Sequence, residues 1–563
     1  MKISTKKSYP VLVLIAGILA ILFANQLAHR YLTVIDLTEE KRFTLHPATK
    51  AILSRLESPV TIEVYLEGEL PANFKRFQNE IRRTLELFSL YAGNNLHYRF
   101  SDPSVAGSSQ ARNQFYRSLI EKGLQPSNVA YTKNGQKSEK LIFPGAIMSF
   151  QDQEAGISLL KSNRAISIDE MLNQSVEGLE YELIHAIERL KSPGRKKIGL
   201  VTGHGEPDST QLAGFTNAIL QSYDLYRINL PERRTLLSGY DVIVLSKPTE
   251  RFSEMEKYLL DQYVMRGGKL MVFLDALSVN MSEAGGEGTV AIPYTTNLED
   301  LLFRYGIRLN QNFVVDVNCG STPVYTGSVG DQPRIELLPW PYFPIISRYG
   351  NHPLVSQLDA TYFQFASTMD TVKATGIRKT PLFLTSEYTK VLAPPVKVSY
   401  NDLQDNLRPE AFTSGIFMLG VLLEGKFTSL YRNRFPPPGT DRSTFIENGT
   451  DAQVIVVSDG DFIRNDFHLE TEKPLPMGMD PYSQTTYANE DFLINALNYL
   501  TDEDGLMLAR NKEVKIRPLD KARVKQEANF WRWLNVALPL LLILVFGSLK
   551  YLARTKRYAR HAN

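Results

Sequence analysis

A single cysteine in 563 residues, Cys319, excludes an internal disulfide and a multi-cysteine metal site. Cys319 itself reads as a small buried or loop residue in preference to a nucleophile. Charge of one sign is equally scarce: the formal net charge is +2, no domain-sized block is strongly basic, and nucleic acid is therefore not an expected partner. No Gly-x-Gly-x-x-Gly, nucleophile elbow, His-Glu-x-x-His or EF-hand spacing occurs, which argues against dinucleotide binding, serine hydrolysis, zinc proteolysis and helix-loop-helix calcium binding. A phosphate loop is nearly spelled by Gly420-Val-Leu-Leu-Glu-Gly425-Lys426, but Phe427 stands where Ser or Thr must hold magnesium. That stretch is also strand-like, and it follows the Walker-B-like run Leu270 to Asp275 instead of preceding it; Ala276 replaces the catalytic glutamate. Nucleotide hydrolysis is not expected, and no cofactor, catalytic residue or metal ligand set is assigned.

What is present begins with length. At about 100 to 200 residues per domain the chain holds three or four, and a composition of 43% hydrophobic and 22% charged residues is that of a globular protein. The organising stretch is Lys196 to Leu277. Apolar runs at Lys196–Gly203, Asp241–Leu245 and Lys269–Asp275 alternate with helical periodicity at Leu212–Tyr223 and Ser253–Arg266, the second helix opened by a serine cap and closed by Gly267-Gly268. Strands this apolar, separated by helices, predict a parallel sheet covered on both faces, with any ligand at the carboxyl ends of its strands.

The two ends are apolar. Val11 to Ala24, lengthened by Tyr9, Pro10, Leu27 and Ala28, reaches the ~20 residues that a helix needs to cross a bilayer. Lys2, Lys6 and Lys7 precede it as in a signal peptide, but Asn25 to Arg30 offers no small-x-small cleavage site, and an uncleaved anchor is expected. Trp531 and Trp533 open a second run, uncharged from Leu534 to Leu549 and followed by Lys550, Arg554, Lys556, Arg557 and Arg560, the pattern of an interfacial belt with a basic stop. Basic residues also flank the second run on its other side. Long domains translocate largely regardless of charge, so cytoplasmic termini and an exported middle are expected, a two-pass topology in the inner membrane.

These patterns divide the chain into a cytoplasmic N-terminus (1–9), a first span (10–29), an N-terminal α/β domain (30–194) and a central α/β domain (195–318). An irregular β-rich region (319–442), a C-terminal α/β unit packing on the central sheet (443–505), a basic linker (506–530), a second span (531–552) and a cytoplasmic tail (553–563) follow. Within the N-terminal domain, Val60–Leu66, Phe74–Tyr91 and Leu96–Phe100 read strand, helix, strand, a β-α-β unit with the look of a thioredoxin-like half that lacks Cys-x-x-Cys and hence redox chemistry.

Two strand-end loops carry candidate chemistry. Gly203-His204-Gly205-Glu206 directly follows the first central strand. A histidine and a carboxylate between glycines suit general acid–base work or part of a metal site; a tight positive-φ loop, with His204 and Glu206 capping the next helix, is the plainer reading. Asp459-Gly460-Asp461, with Asp466 close by, follows the strand ending at Val457. Its paired carboxylates suit a divalent cation, and a solvated turn is again the plainer reading.

Several phrases together resemble one family, the gliding-motility-associated ABC transporter auxiliary protein GldG of gliding bacteria. They are Asp36 to Leu45, Val64 to Gly68, Thr202 to Glu206, Asn297 to Asp316, Leu422 to Phe427, Val457 to Phe462 and Asn489 to Thr501. The resemblance implies a two-span membrane protein with a large periplasmic region, working with a separate ABC permease and, through it, a cytoplasmic ABC ATPase; a homodimer is also allowed. It further implies that the central domain is similar to the class I glutamine-amidotransferase-like fold without its catalytic cysteine, and that the protein is not an enzyme. An envelope enzyme or a ligand-binding module using His204 and Glu206 is the alternative.

Overall fold

The computed structural model describes residues 16–23, 44–105, 108–133, 136–161, 168–191, 194–284, 288–329, 332–356, 358–400, 409–503, 505–507 and 521–559. In the N-terminal part, β1 (Val60–Val64) alternates buried and accessible residues, with Val60, Ile62 and Val64 fully buried. Helix α1 (Ala72–Ala92) repeats Phe74, Phe77, Ile81, Leu85 and Phe88 at helical spacing and lays that stripe on the sheet. Strand β2 (Leu96–Phe100) pairs parallel with β1, so the β-α-β unit forms. Strand β3 (Gly145–Phe150) then runs antiparallel to β1, β4 (Gln153–Ser158) antiparallel to β3, and the long helix α2 (Ile168–Lys191) completes this core.

The central sheet follows. Strand β5 (Lys197–Thr202) leads into α3 (Ala213–Leu220) and β6 (Asp224–Asn229); β7 (Val242–Ser246) leads into α4 (Glu254–Met265) and β8 (Lys269–Phe273). Further along, β9 (Met418–Thr428) precedes β10 (Asn448–Val457) and α5 (Asn489–Thr501). Strands β6, β5, β7, β8 and β10 lie side by side in that order, all parallel. Their alternate residues divide between two cores. Leu200, Val244, Met271 and Ile455 pack with α3 and α5; Val201, Leu245, Val272 and Val454 pack with α4. Both faces are thus covered, which is why these strands are apolar throughout. Ser253 caps α4, and Glu256 closes the capping box.

The sheet is not parallel throughout, which corrects the sequence expectation. Strand β9 runs antiparallel to β10, and Ile377–Leu384 and Met369–Thr371 run antiparallel to β9, so part of the 319–442 region belongs to the central sheet, a mixed one of ten strands. The protein is a mixed α/β fold with several sheets.

The C-terminal helix α6 (Lys521–Ala559) belongs to a second compact unit. At ~1.5 Å per residue its 39 residues span about 58 Å. Within Glu527–Ala553 the most apolar 18 residues have a mean hydropathy of 2.1, and none of them is buried. Residues 521–530, expected as linker, are helical here. Of the expected first span, residues 16–23 are helical and exposed, and the remainder of 10–29 lies outside the described residues.

Candidate functional site

In chain order the five parallel strands lie as 2-1-3-4-5, and the order reverses between β5 and β7. Open α/β sheets bind ligands at such a reversal, outside the carboxyl ends of the strands. Four loops emerge there: Gly203–Glu206 after β5, Lys247–Glu250 after β7, Leu274–Ala276 after β8 and Ser458–Asp461 after β10.

The first loop closes on itself. The Glu206 carboxylate accepts the backbone N–H groups of Gly203 at 2.9 Å and His204 at 2.7 Å, while the His204 carbonyl accepts Thr249 N–H at 2.8 Å and Glu250 N–H at 2.9 Å. Gly205 holds φ +71°, and a Cβ on it would stand 2.1 Å from Thr249 Oγ1, so only glycine fits. The His204 ring is 2% exposed and stacks on Phe252 at 3.7 Å between centroids. Its Nε2 meets Glu256 Oε2 at 3.2 Å, and its Nδ1 faces Glu206 Oε1 at 3.4 Å, an ion contact without aligned hydrogen-bond geometry. Burial is the strongest influence on this imidazole and lowers its pKa, but the two carboxylates outweigh it and the net shift is upward. The expectation that His204 and Glu206 cap the next helix is therefore corrected. Glu206 caps its own loop, and His204 binds the capping glutamate of α4. With both ring nitrogens facing carboxylates in a closed pocket, His204 is built as a clasp, and no face of it is presented to a substrate.

The second loop is buried, not the solvated turn expected: Asp459 is 0% and Asp461 9% exposed. Asp459 accepts the backbone N–H groups of Asp461 at 2.7 Å and Gln364 at 2.6 Å; Asp275, at the end of β8, accepts Gly460 N–H at 2.5 Å. The approach of this turn to β7 is close enough that a Cβ on Gly460 would meet Lys247 Cγ at 2.6 Å. Lys247, a non-glycine residue at φ +45°, places its Nζ 2.9 Å from Asp275 Oδ2 and 2.5 Å from Asp461 Oδ2. Arg464 lies 3.1 Å from Asp461 Oδ1.

Burial and neighbouring charges act against one another within this cluster. Asp459 is pushed well above the ordinary carboxylate value by burial, then by the neighbouring Asp461 and Asp275. Asp275 is raised by burial against the pull of Lys247. Asp461 is lowered, because Lys247 and Arg464 together overcome its burial. Lys247 is raised: burial opposes its charge, and the two aspartates prevail. The oxygens of Asp275, Asp459 and Asp461 lie within 4.8 Å of one another, spacing suited to a cation, and the Lys247 ammonium is a cation already bridging two of them.

Beside the cluster is a cavity of about 300 Å³ lined by Lys247, Thr249, Asp275, Tyr294, Gln364 and Arg464, among others. The sequence candidates thus share one edge of the sheet. The turn after β5 and the turn after β10 stand three strand spacings apart, roughly 14 Å, with Thr249 between them: its hydroxyl donates to Gly205 O at 3.0 Å, and it also lines the cavity. Lys247, Arg464 and Tyr294 gave no signal in the sequence beyond the position of Lys247 at the end of a buried strand. Cys319 lies elsewhere, and burial, with Asp316 adding, pushes its thiol up to about 12, out of reach of nucleophilic work at neutral pH.

The family described as an ABC-type uncharacterized transport system matches residues 195–496, and a domain of unknown function matches residues 39–149. An uncharacterized protein of Borreliella burgdorferi is 22% identical over 418 residues, which covers 71% of this chain and 74% of that protein. Among solved structures, the mmIFT52 N-terminal domain is similar at 14% identity and a TM-score of 0.31, covering 55% of this chain and 98% of its own. The exo-beta-1,4-mannosidase Op5Man5 from Opitutaceae bacterium strain TAV5 is similar at 10% identity and a TM-score of 0.20, covering 69% of this chain and 46% of its own.

Proposed function

This chain belongs to the family of ABC-type uncharacterized transport systems, and on that premise we propose that it is a non-catalytic, membrane-anchored auxiliary subunit of the gliding-motility-associated kind. The accessory role in transport comes with the family. The finer reading is a two-pass protein of the inner membrane whose body stands in the periplasm against an ABC permease, with a separate cytoplasmic ATPase supplying the energy. The stretch Gly420–Lys426 lies within the extended strand β9, a conformation that does not wrap phosphates, which supports an outside source of that energy.

The observation that carries the proposal is α6. An apolar helical stretch of 18 residues with nothing buried leaves its surface to a bilayer or to other membrane helices. Phe530, Trp531 and Trp533 at its start suit the headgroup region. Protease added to spheroplasts tests the orientation: the body is expected to be degraded, and a body that stays intact overturns it.

The central domain is further proposed to be a glutamine-amidotransferase-like scaffold whose carboxyl edge, held in shape by Gly203, His204, Gly205, Glu206, Asp459 and Asp461, binds a partner or ligand without catalysis. A periplasmic ligand-binding role at the same edge is the second reading, supported by the cavity beside Lys247. His204→Ala separates scaffold from enzyme: gliding retained by this variant at a temperature where it stays folded would remove the enzyme.

A further inference from the structure

The cavity of about 300 Å³ beside Lys247 lies at the carboxyl edge of the central sheet, and its volume is at the lower end of small-molecule sites. Its polar groups can be reached. The Lys247 side chain is 21% and the Arg464 side chain 30% exposed, Tyr294 and Gln364 are half-buried, and Thr249 and Ser278 are exposed. Two residues of its walls, Lys247 at φ +45° and Phe365 at φ +56°, hold the left-handed backbone that side chains disfavour, a strain that collects where a site has to be shaped.

Donors and acceptors along these walls are used unevenly. Asp275 accepts Gly460 N–H and the Lys247 ammonium, and Asp461 takes Lys247 at one oxygen and Arg464 at the other, so the acids are occupied. Gln364 turns its amide nitrogen to Asp466 at 3.4 Å, and the Tyr294 hydroxyl donates to Pro248 O at 3.4 Å. Arg464 differs. Its guanidinium offers five N–H donors, and one ion contact, to Asp461 Oδ1 at 3.1 Å, is all that its side chain makes among the described residues. A planar cationic fork is therefore left open in a reachable cavity, and two acceptor oxygens at matching spacing complement it. A phosphate would bring up to about two negative charges beside Asp275 and Asp461, so the singly charged carboxylate fits better.

We propose that this cavity binds a small organic carboxylate, its two oxygens on the Arg464 fork and Asp461 the counter-ion that fixes the guanidinium. The proposal rests on the second reading above, a ligand-binding role at this edge, and names the chemical class of the ligand. Ser278 lines the same cavity, is exposed and stands outside the ion cluster, so a large side chain there blocks the cavity without breaking an ion pair.

The full chain in detergent is titrated calorimetrically with N-acetylglycine, with its neutral amide N-acetylglycinamide and with inorganic phosphate. Saturable binding of the carboxylate, about tenfold or more tighter than of the amide or of phosphate, is expected. Arg464→Lys keeps the charge beside Asp461 but not the fork, and is expected to weaken the carboxylate about tenfold at an unchanged melting temperature; Ser278→Trp is expected to abolish its binding. Equal affinity for carboxylate and amide, with both lost in Ser278→Trp, would overturn the carboxylate and keep a ligand site at this edge. Carboxylate binding untouched by either substitution would lie elsewhere and overturn both readings. Phosphate binding the tighter, or no saturable heat with any of the three, would overturn the proposal.

Discussion

Lys247 Nζ lies 2.5 Å from Asp461 Oδ2 although 214 positions separate the two residues, and this pair ties the end of β7 to the turn after β10. Asp275, at the end of β8 between them, takes the same ammonium at 2.9 Å. One lysine therefore fastens three strand ends of the central sheet.

Removing that lysine leaves Asp275 buried without its cation and Asp461 with Arg464 alone. Lys247→Met is expected to cost about 3 to 5 kcal/mol in urea denaturation, as for other buried pairs broken on one side. Adding Asp461→Asn is expected to return part of the loss, because fewer charges stay unpaired.

The His204 clasp makes stability depend on pH. Its folded-state pKa lies above the ordinary value of about 6.5, so the folded state holds the proton more tightly than the unfolded one. Its contribution is present in full below about 6.5 and fades as pH rises through the raised value. The melting temperature of the wild type should therefore exceed that of His204→Gln by a margin that shrinks as pH rises above about 6.5. A margin that grows with pH would contradict the assignment.

Gly205→Ala meets two obstacles, the positive φ and Thr249 Oγ1 at 2.1 Å from the new Cβ. A loss of about 1 to 3 kcal/mol is expected. Thr249→Ala should relieve the steric part and leave the backbone part, giving a double-mutant cycle with measurable coupling.

The two proposed anchors can be tested separately. Deleting residues 521–563 is expected to leave the chain in the membrane fraction, held by the first span, and so is deleting residues 1–29; deleting both is expected to release it as soluble protein. Release by either single deletion would overturn the two-pass reading.

Much of the central sheet is readable from local pattern. The apolar runs of β5, β7 and β8, the serine cap of α4 and its Gly267-Gly268 stop are signals carried within a few residues of the element they define. Strand β9 and its partner Ile377–Leu384 are different. Their pairing joins residues such as Ile377 and Gly425, the partner strand contains Pro381, and the register shifts twice, so nothing local announces membership in the sheet. The sites divide in the same way. Gly203 to Glu206 stands out as a loop because two glycines flank a histidine. Lys247 looks like a surface residue until the strand order brings Asp275 and Asp461 beside it, and Asp459 and Asp461 look solvated for the same reason. Burial of a charge is set by what packs over it, which sequence spacing does not encode.

The accessory role is tested most directly by purifying the tagged chain from native membranes in mild detergent and quantifying what comes with it. A multispan ABC permease in near-stoichiometric amount, together with its ATPase, is the predicted result. A chain that elutes alone as a stable monomer, with neither component enriched, would contradict it.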